Sequence, residues 1–65
     1  MTTFQGNGWE VVVGVIFSEL RYGTEVITFE PSEFGFDNAE VRGFLTKNLN
    51  LNPAELITKL NAMVK

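Results

Sequence analysis

The acidic side chains between residues 30 and 40 come closest, by type and spacing, to a chemical site. Glu30, Glu33, Asp37 and Glu40 could act as paired carboxylates or hold a hard cation. They lack the spacing of an EF-hand, and Asp37 followed three residues later by Glu40 matches the capping box that begins a helix. We therefore interpret this cluster as structural and predict no metal site.

Histidine and cysteine are both absent from the 65 residues, which removes the commonest general base, the thiolate nucleophile and the usual zinc ligands. The sequence also has no Gly-x-Ser-x-Gly or Ser-x-x-Lys arrangement that would activate a serine. We expect no catalytic residue and no cofactor. The sequence predicts a protein that is not an enzyme.

The length and composition indicate one small folded domain spanning residues 1–65. A hydrophobic fraction of 45% is typical of a globular protein, and no apolar tract is long enough to cross a bilayer. The N-terminus lacks the pattern of a signal peptide, so we expect a complete cytoplasmic protein without a membrane anchor. A chain this short without disulfides or zinc commonly gains stability by association with another copy.

The net charge of −3 is unevenly distributed along the chain. Residues 1–40 carry a balance of −6, and residues 41–65 carry a balance of +3. This asymmetry predicts either that the two halves pack against each other or that the acidic half faces a basic partner.

The apolar run from Val11 to Phe17 predicts a long strand over residues 9–20, after a flexible N-terminus at residues 1–8. Gly23 indicates a tight turn into a second strand at residues 25–30, which Pro31 ends. We expect Phe34 and Phe36 to enter the core from the irregular segment that follows.

Two helices are predicted, at residues 38–48 and 53–64, each beginning at a capping box. The boxes are Asp37 with Glu40 and Asn52 with Glu55. Gly43, in the middle of the first helix, suggests close backbone packing there. The predicted fold class is α+β, an N-terminal antiparallel hairpin followed by two α-helices and completed by homodimerisation.

The homodimer is predicted because a strand that is apolar on both faces needs cover on both faces. Two helices can cover one face of a hairpin, and the second apolar face would mark an interface with another copy. The predicted dimer interface comprises Val11, Val12, Val13, Val15, Ile16 and Phe17.

The sequence favours a non-enzymatic interaction module, such as an accessory, adaptor or inhibitor protein, that binds another protein through an acidic hairpin. A small inhibitor encoded by a phage or mobile element is one concrete case. The predicted partner-binding residues are the acids of the hairpin and the aromatics at its ends: Trp9, Glu19, Tyr22, Glu25 and Glu30.

A nucleic-acid-binding regulator is the alternative function. The segments VITFEP, DNAEVRGFLTKN and LNPAELITKL form a strand and two helices that resemble the ribbon-helix-helix repressors over about residues 26–64, and residues 38–64 also fit a helix-turn-helix. The resemblance implies paired strands from two chains in the major groove. The sequence departs from that family at Glu25, Thr28 and Glu30, where basic or amide side chains are expected. The basic helical half supports the alternative, with Arg42, Lys47 and Lys59 as its candidate contacts.

Overall fold

The computed structural model describes residues 1–64 and contains four antiparallel strands followed by two helices, an α+β arrangement. The strands form one sheet in chain order, and a short 3-10 turn at Pro31–Phe34 leads from the sheet to the helices. The elements are β1 (Thr2–Gln5), β2 (Glu10–Val13), β3 (Ser18–Tyr22), β4 (Glu25–Phe29), α1 (Asn38–Lys47) and α2 (Pro53–Ala62).

The prediction of one strand over residues 9–20 is wrong, because the chain reverses within the apolar run. Val13 and Ser18 are paired across two antiparallel strands, and the Gly14 N–H donates to the Phe17 carbonyl at 3.0 Å to close the turn. A side chain at position 14 would collide with that same carbonyl, so glycine is needed at this point. Val15, Ile16 and Phe17 therefore belong to a turn, although their residue types favour strands.

This turn changes which side chains share a face of the sheet. In one continuous strand Val11 and Leu20 would point to opposite faces, whereas the hairpin register makes them direct partners on the same face. Both are buried against the helices. One continuous strand would place Val12, Ile16 and Leu20 on a second apolar face, and the turn removes that continuous surface.

The predicted flexible segment at residues 1–8 instead contains β1, which adds a strand beside β2. Phe4 is the partner of Val11 and packs against the buried core, which explains why this end of the chain is ordered. The β1–β2 turn is closed by the Gly6 N–H, which donates to the Trp9 carbonyl at 2.9 Å. The sheet therefore contains three hairpins, β1–β2, β2–β3 and β3–β4, where the sequence predicted one.

The second half of the predicted fold is close to the structure. β4 begins at the predicted residue and ends one residue early, α1 ends one residue early and α2 two residues early. Both capping boxes are formed: the Glu40 N–H donates to Asp37 Oδ1 at 2.7 Å, and the Glu55 N–H donates to Asn52 Oδ1 at 2.9 Å. Neither helix is long and apolar enough to span a membrane.

The core lies between the inner face of the sheet and the two helices. Its buried apolar side chains are Trp9, Val11, Val13, Leu20, Phe36, Val41, Phe44, Leu45 and Leu56. The outer face of the sheet carries mostly polar side chains in two cross-strand rows, Thr3-Val12-Glu19-Thr28 and Gln5-Glu10-Arg21-Val26. A polar face of this kind can contact water directly, so the sheet itself needs no second apolar layer.

Candidate functional site

The turn between β2 and β3 exposes three neighbouring apolar side chains, Val15, Ile16 and Phe17, which we call the hairpin tip. Their exposed fractions are 86%, 58% and 57%. The side-chain amide of Asn38, at the start of α1, donates to the carbonyls of Gly14 and Val15, both at 3.0 Å. The tip is thus apolar, exposed and fixed to the helix layer.

The structure separates the predicted dimer-interface residues into two groups. Val11 and Val13 are buried in the chain's own core, so assigning them to an interface between copies is wrong. Val12 is half-buried on the outer face of the sheet. The three residues of the hairpin tip remain available for contact with another molecule.

The predicted anchor Trp9 is also buried and is not available to a partner. Its indole Nε1–H donates to the Leu51 carbonyl at 2.6 Å, and a Cβ added to Gly6 would overlap the indole ring. The ring therefore joins the β1–β2 turn to the loop between the helices. Sequence position near a strand end suggested exposure, but Gly6 of the β1–β2 turn lies against the ring.

The other predicted partner-binding residues do not form one surface. Glu19 lies on the outer face, where it accepts hydrogen bonds from Arg21 at 3.1 and 2.6 Å. This hydrogen-bonded pairing, with the neighbouring charge of Glu10, raises the pKa of Arg21. Tyr22 is half-buried and packs against the core, whereas Glu25 and Glu30 flank opposite ends of β4.

A second apolar surface, not predicted from the sequence, lies between β4 and α2. It is a groove of about 170 Å³, which we call the edge groove. The residues that line it are Leu20, Ile27, Phe29, Phe34, Phe36, Ile57, Leu60, Asn61 and Val64. Phe36 is buried as expected, but Phe34 remains partly exposed at the groove. The signal in the sequence was the alternation of Ile27 and Phe29 on a strand next to two phenylalanines.

Residues 1–64 contain no group of three or more acidic side chains placed to hold a metal ion. Glu30 accepts a hydrogen bond from the Ser32 hydroxyl at 3.3 Å, and Asp37 and Glu40 form the capping box of α1. The carboxylates that are close in sequence are therefore held in separate local structures.

The basic side chains lie on the helices. Arg42 and Lys47 are exposed on α1, and Lys59 of α2 donates to Asn48 Oδ1 at 3.1 Å. Lys65, which contributes to the basic balance of the sequence, lies outside the described residues. The ribbon-helix-helix resemblance implied a strand paired with a second chain, whereas β4 pairs with β3 of its own chain.

The fold and these surfaces define a small α+β protein with a four-stranded antiparallel meander, two helices and two exposed apolar regions. Comparison of the chain with protein-family models, curated protein sequences and solved structures found no significant match.

Proposed function

We propose that the chain is a non-enzymatic protein–protein interaction module that acts as a homodimer. The observation that carries the proposal is the hairpin tip, which places three large apolar side chains in solvent on a turn fixed to α1. A contiguous apolar surface on a small domain is typical of an interface. Val15, Ile16 and Phe17 replace the broader set of interface residues predicted from the sequence.

The attachment of the tip to α1 supports this proposal. Burial of apolar side chains contributes to association only after the cost of ordering them has been met. The two hydrogen bonds from Asn38 join the backbone of the turn to the start of α1. The tip thus has the preorganised form that is expected of a contact site. The nucleic-acid-binding alternative and the cytoplasmic location stay predictions from the sequence.

The oligomeric state and a matched pair of substitutions test the proposal. Ile16 in the tip and Val26 on the outer face of β4 are β-branched and almost equally exposed, at 58% and 59%. We expect the wild-type chain to sediment as a dimer at micromolar concentration, and Ile16→Thr to weaken the dimer by about tenfold. Val26→Thr should leave the dimer unchanged.

Circular dichroism of both variants would show that each remains folded. A wild-type chain that is a folded monomer at micromolar concentration would contradict the homodimer. Equal weakening by Ile16→Thr and Val26→Thr would contradict the assignment of the interface to the tip.

A further inference from the structure

A second exposed feature of the fold is the outer edge of β4. In the sheet order β1-β2-β3-β4, β4 is a terminal strand and pairs only with β3 among residues 1–64. A terminal strand presents backbone N–H and C=O groups on its outer side, which another extended chain can pair with. Its sequence, EVITF, is rich in residues that favour strands and contains no lysine or proline to discourage such pairing.

The edge groove lies directly beside this strand. Ile27 and Phe29 point from β4 into the groove, and Ile57 and Leu60 of α2 form its opposite wall. A peptide paired with β4 would direct alternate side chains toward the inner layer of the protein. The groove is therefore positioned to take an apolar side chain from a strand added to β4.

The negative charge near the groove favours a peptide with basic residues beside its apolar side chain. Three carboxylates, Glu25, Glu30 and Glu33, lie on β4 or on the segment that follows it, and residues 22–36 contain no lysine or arginine. Glu25 and Glu33 are exposed, and Glu30 follows the end of β4. Lys59 of α2 is next in sequence to the groove residue Leu60, but its ammonium group donates to Asn48 in the loop between the helices. A second copy would bring its own acidic β4 to this edge, whereas a basic segment would have complementary charge.

We propose that β4 and the edge groove bind an extended segment of another protein, with an apolar side chain in the groove and lysine or arginine on both sides of it. The inference rests on the proposed function in treating the chain as an interaction module, but it uses a different surface from the hairpin tip. Glu25 and Glu30 are five residues apart, which is about 17 Å along a strand. The basic residues of the partner segment should have a similar separation.

A blocked hexapeptide, Lys-Thr-Leu-Thr-Leu-Lys, tests this proposal by titration into the ¹⁵N-labelled wild-type protein. We expect amide shifts concentrated on β4 and around the groove. Replacing both lysines of the peptide by glutamate should weaken binding by about tenfold or more at low salt. N-methylation of the alternate peptide amides that pair with β4 should also abolish binding, because it removes their N–H donors.

Two protein variants separate the groove from the rest of the sheet. Ile27→Thr should weaken binding of the lysine peptide by about tenfold, because Ile27 lines the groove. Val12→Thr changes the outer face two strands away and should leave the affinity unchanged. Circular dichroism would verify that both variants are folded.

Three results would overturn the inference. They are no shifts at about 1 mM peptide, shifts centred on the hairpin tip, or β4 amides already paired with a second copy of the chain. In the last case, Ile27→Thr would dissociate the dimer and Ile16→Thr would leave it intact. The two proposals can fail separately. If the peptide did not bind but Ile16→Thr still dissociated the dimer, the proposed function would stand and the role of the edge groove would be wrong.

Discussion

Gly23 and Gly43 both have open space around the position that a Cβ atom would occupy, but their backbones differ. Gly23 lies in the β3–β4 turn with φ of 56°, in the left-handed region that favours glycine. Gly43 lies on the exposed side of α1 in helical conformation. The close packing expected at Gly43 from the sequence is therefore wrong, because no neighbouring atom requires a glycine there.

These two glycines give opposite expectations for substitution by alanine. Gly43→Ala should stabilise the protein by about 1 kcal/mol, because alanine loses less backbone entropy in a helix and meets no neighbour. Gly23→Ala should destabilise it by about 1 kcal/mol, because an L-residue is strained at positive φ. Urea unfolding followed by circular dichroism measures both changes. A loss of stability in Gly43→Ala would mean that α1 has a contact at this position in solution.

Ser18 shows how burial can differ from residue type. It is fully buried between its cross-strand partners Val13 and Phe29, and its hydroxyl has no hydrogen-bond partner within residues 1–64. A buried hydroxyl without a partner lowers stability. Its position on the inner face follows from the turn at Gly14, which reverses the chain before β3 begins.

At the scale of the elements, the helices could be predicted because their boundaries depend on local chemistry. Each begins at an acid or amide side chain that caps the backbone N–H three residues later, and this spacing can be read directly from the sequence. The β3–β4 hairpin was predictable for the same reason, since Gly23 supplies the positive φ of its turn.

The β2–β3 hairpin could not be predicted from local chemistry. Its turn contains Val15, Ile16 and Phe17, which favour strands, and its only turn-forming residue is Gly14. The turn is held by tertiary contacts from Asn38, 23 and 24 residues further along the chain. Because the hairpin tip lies in this turn, the sequence placed Val15, Ile16 and Phe17 in a strand, and their exposure on a turn could not be predicted.

Asn38 should therefore control the order of the hairpin tip. Asn38→Ala removes both hydrogen bonds to the turn while keeping a residue that suits the first turn of a helix. We expect a loss of about 1 kcal/mol in unfolding free energy and roughly tenfold faster hydrogen exchange at the Gly14 amide. Asn61→Ala, at an exposed position of α2, is the matched control and should change neither quantity. Unaltered exchange at Gly14 in Asn38→Ala would show that the turn is held by other contacts.

At the scale of the whole molecule, the sheet and helices are joined at both ends of β2. At one end Asn38 binds the β2–β3 turn, and at the other the β1–β2 turn contacts the loop between the helices. There the Asn7 N–H donates to the Leu49 carbonyl at 3.0 Å, and the Trp9 indole donates to the Leu51 carbonyl. These links lie far apart in sequence, which is why hydrophobic patterns alone did not reveal how the N-terminal residues pack. They imply that the sheet and helices unfold together.

The Trp9 hydrogen bond tests this coupling. Trp9→Phe keeps an aromatic ring in the core but removes the donor to the Leu51 carbonyl and leaves space beside Gly6. We expect a loss of about 2 kcal/mol in unfolding free energy, with strand and helix amides exchanging faster together. Tyr22→Phe, at a half-buried aromatic of β3, should cost no more than about 0.5 kcal/mol. Urea unfolding by circular dichroism and native-state hydrogen exchange measure the two effects. If Trp9→Phe accelerated exchange only in β1 and β2, the helices would be stable without this link, and the sheet and helices would not unfold together.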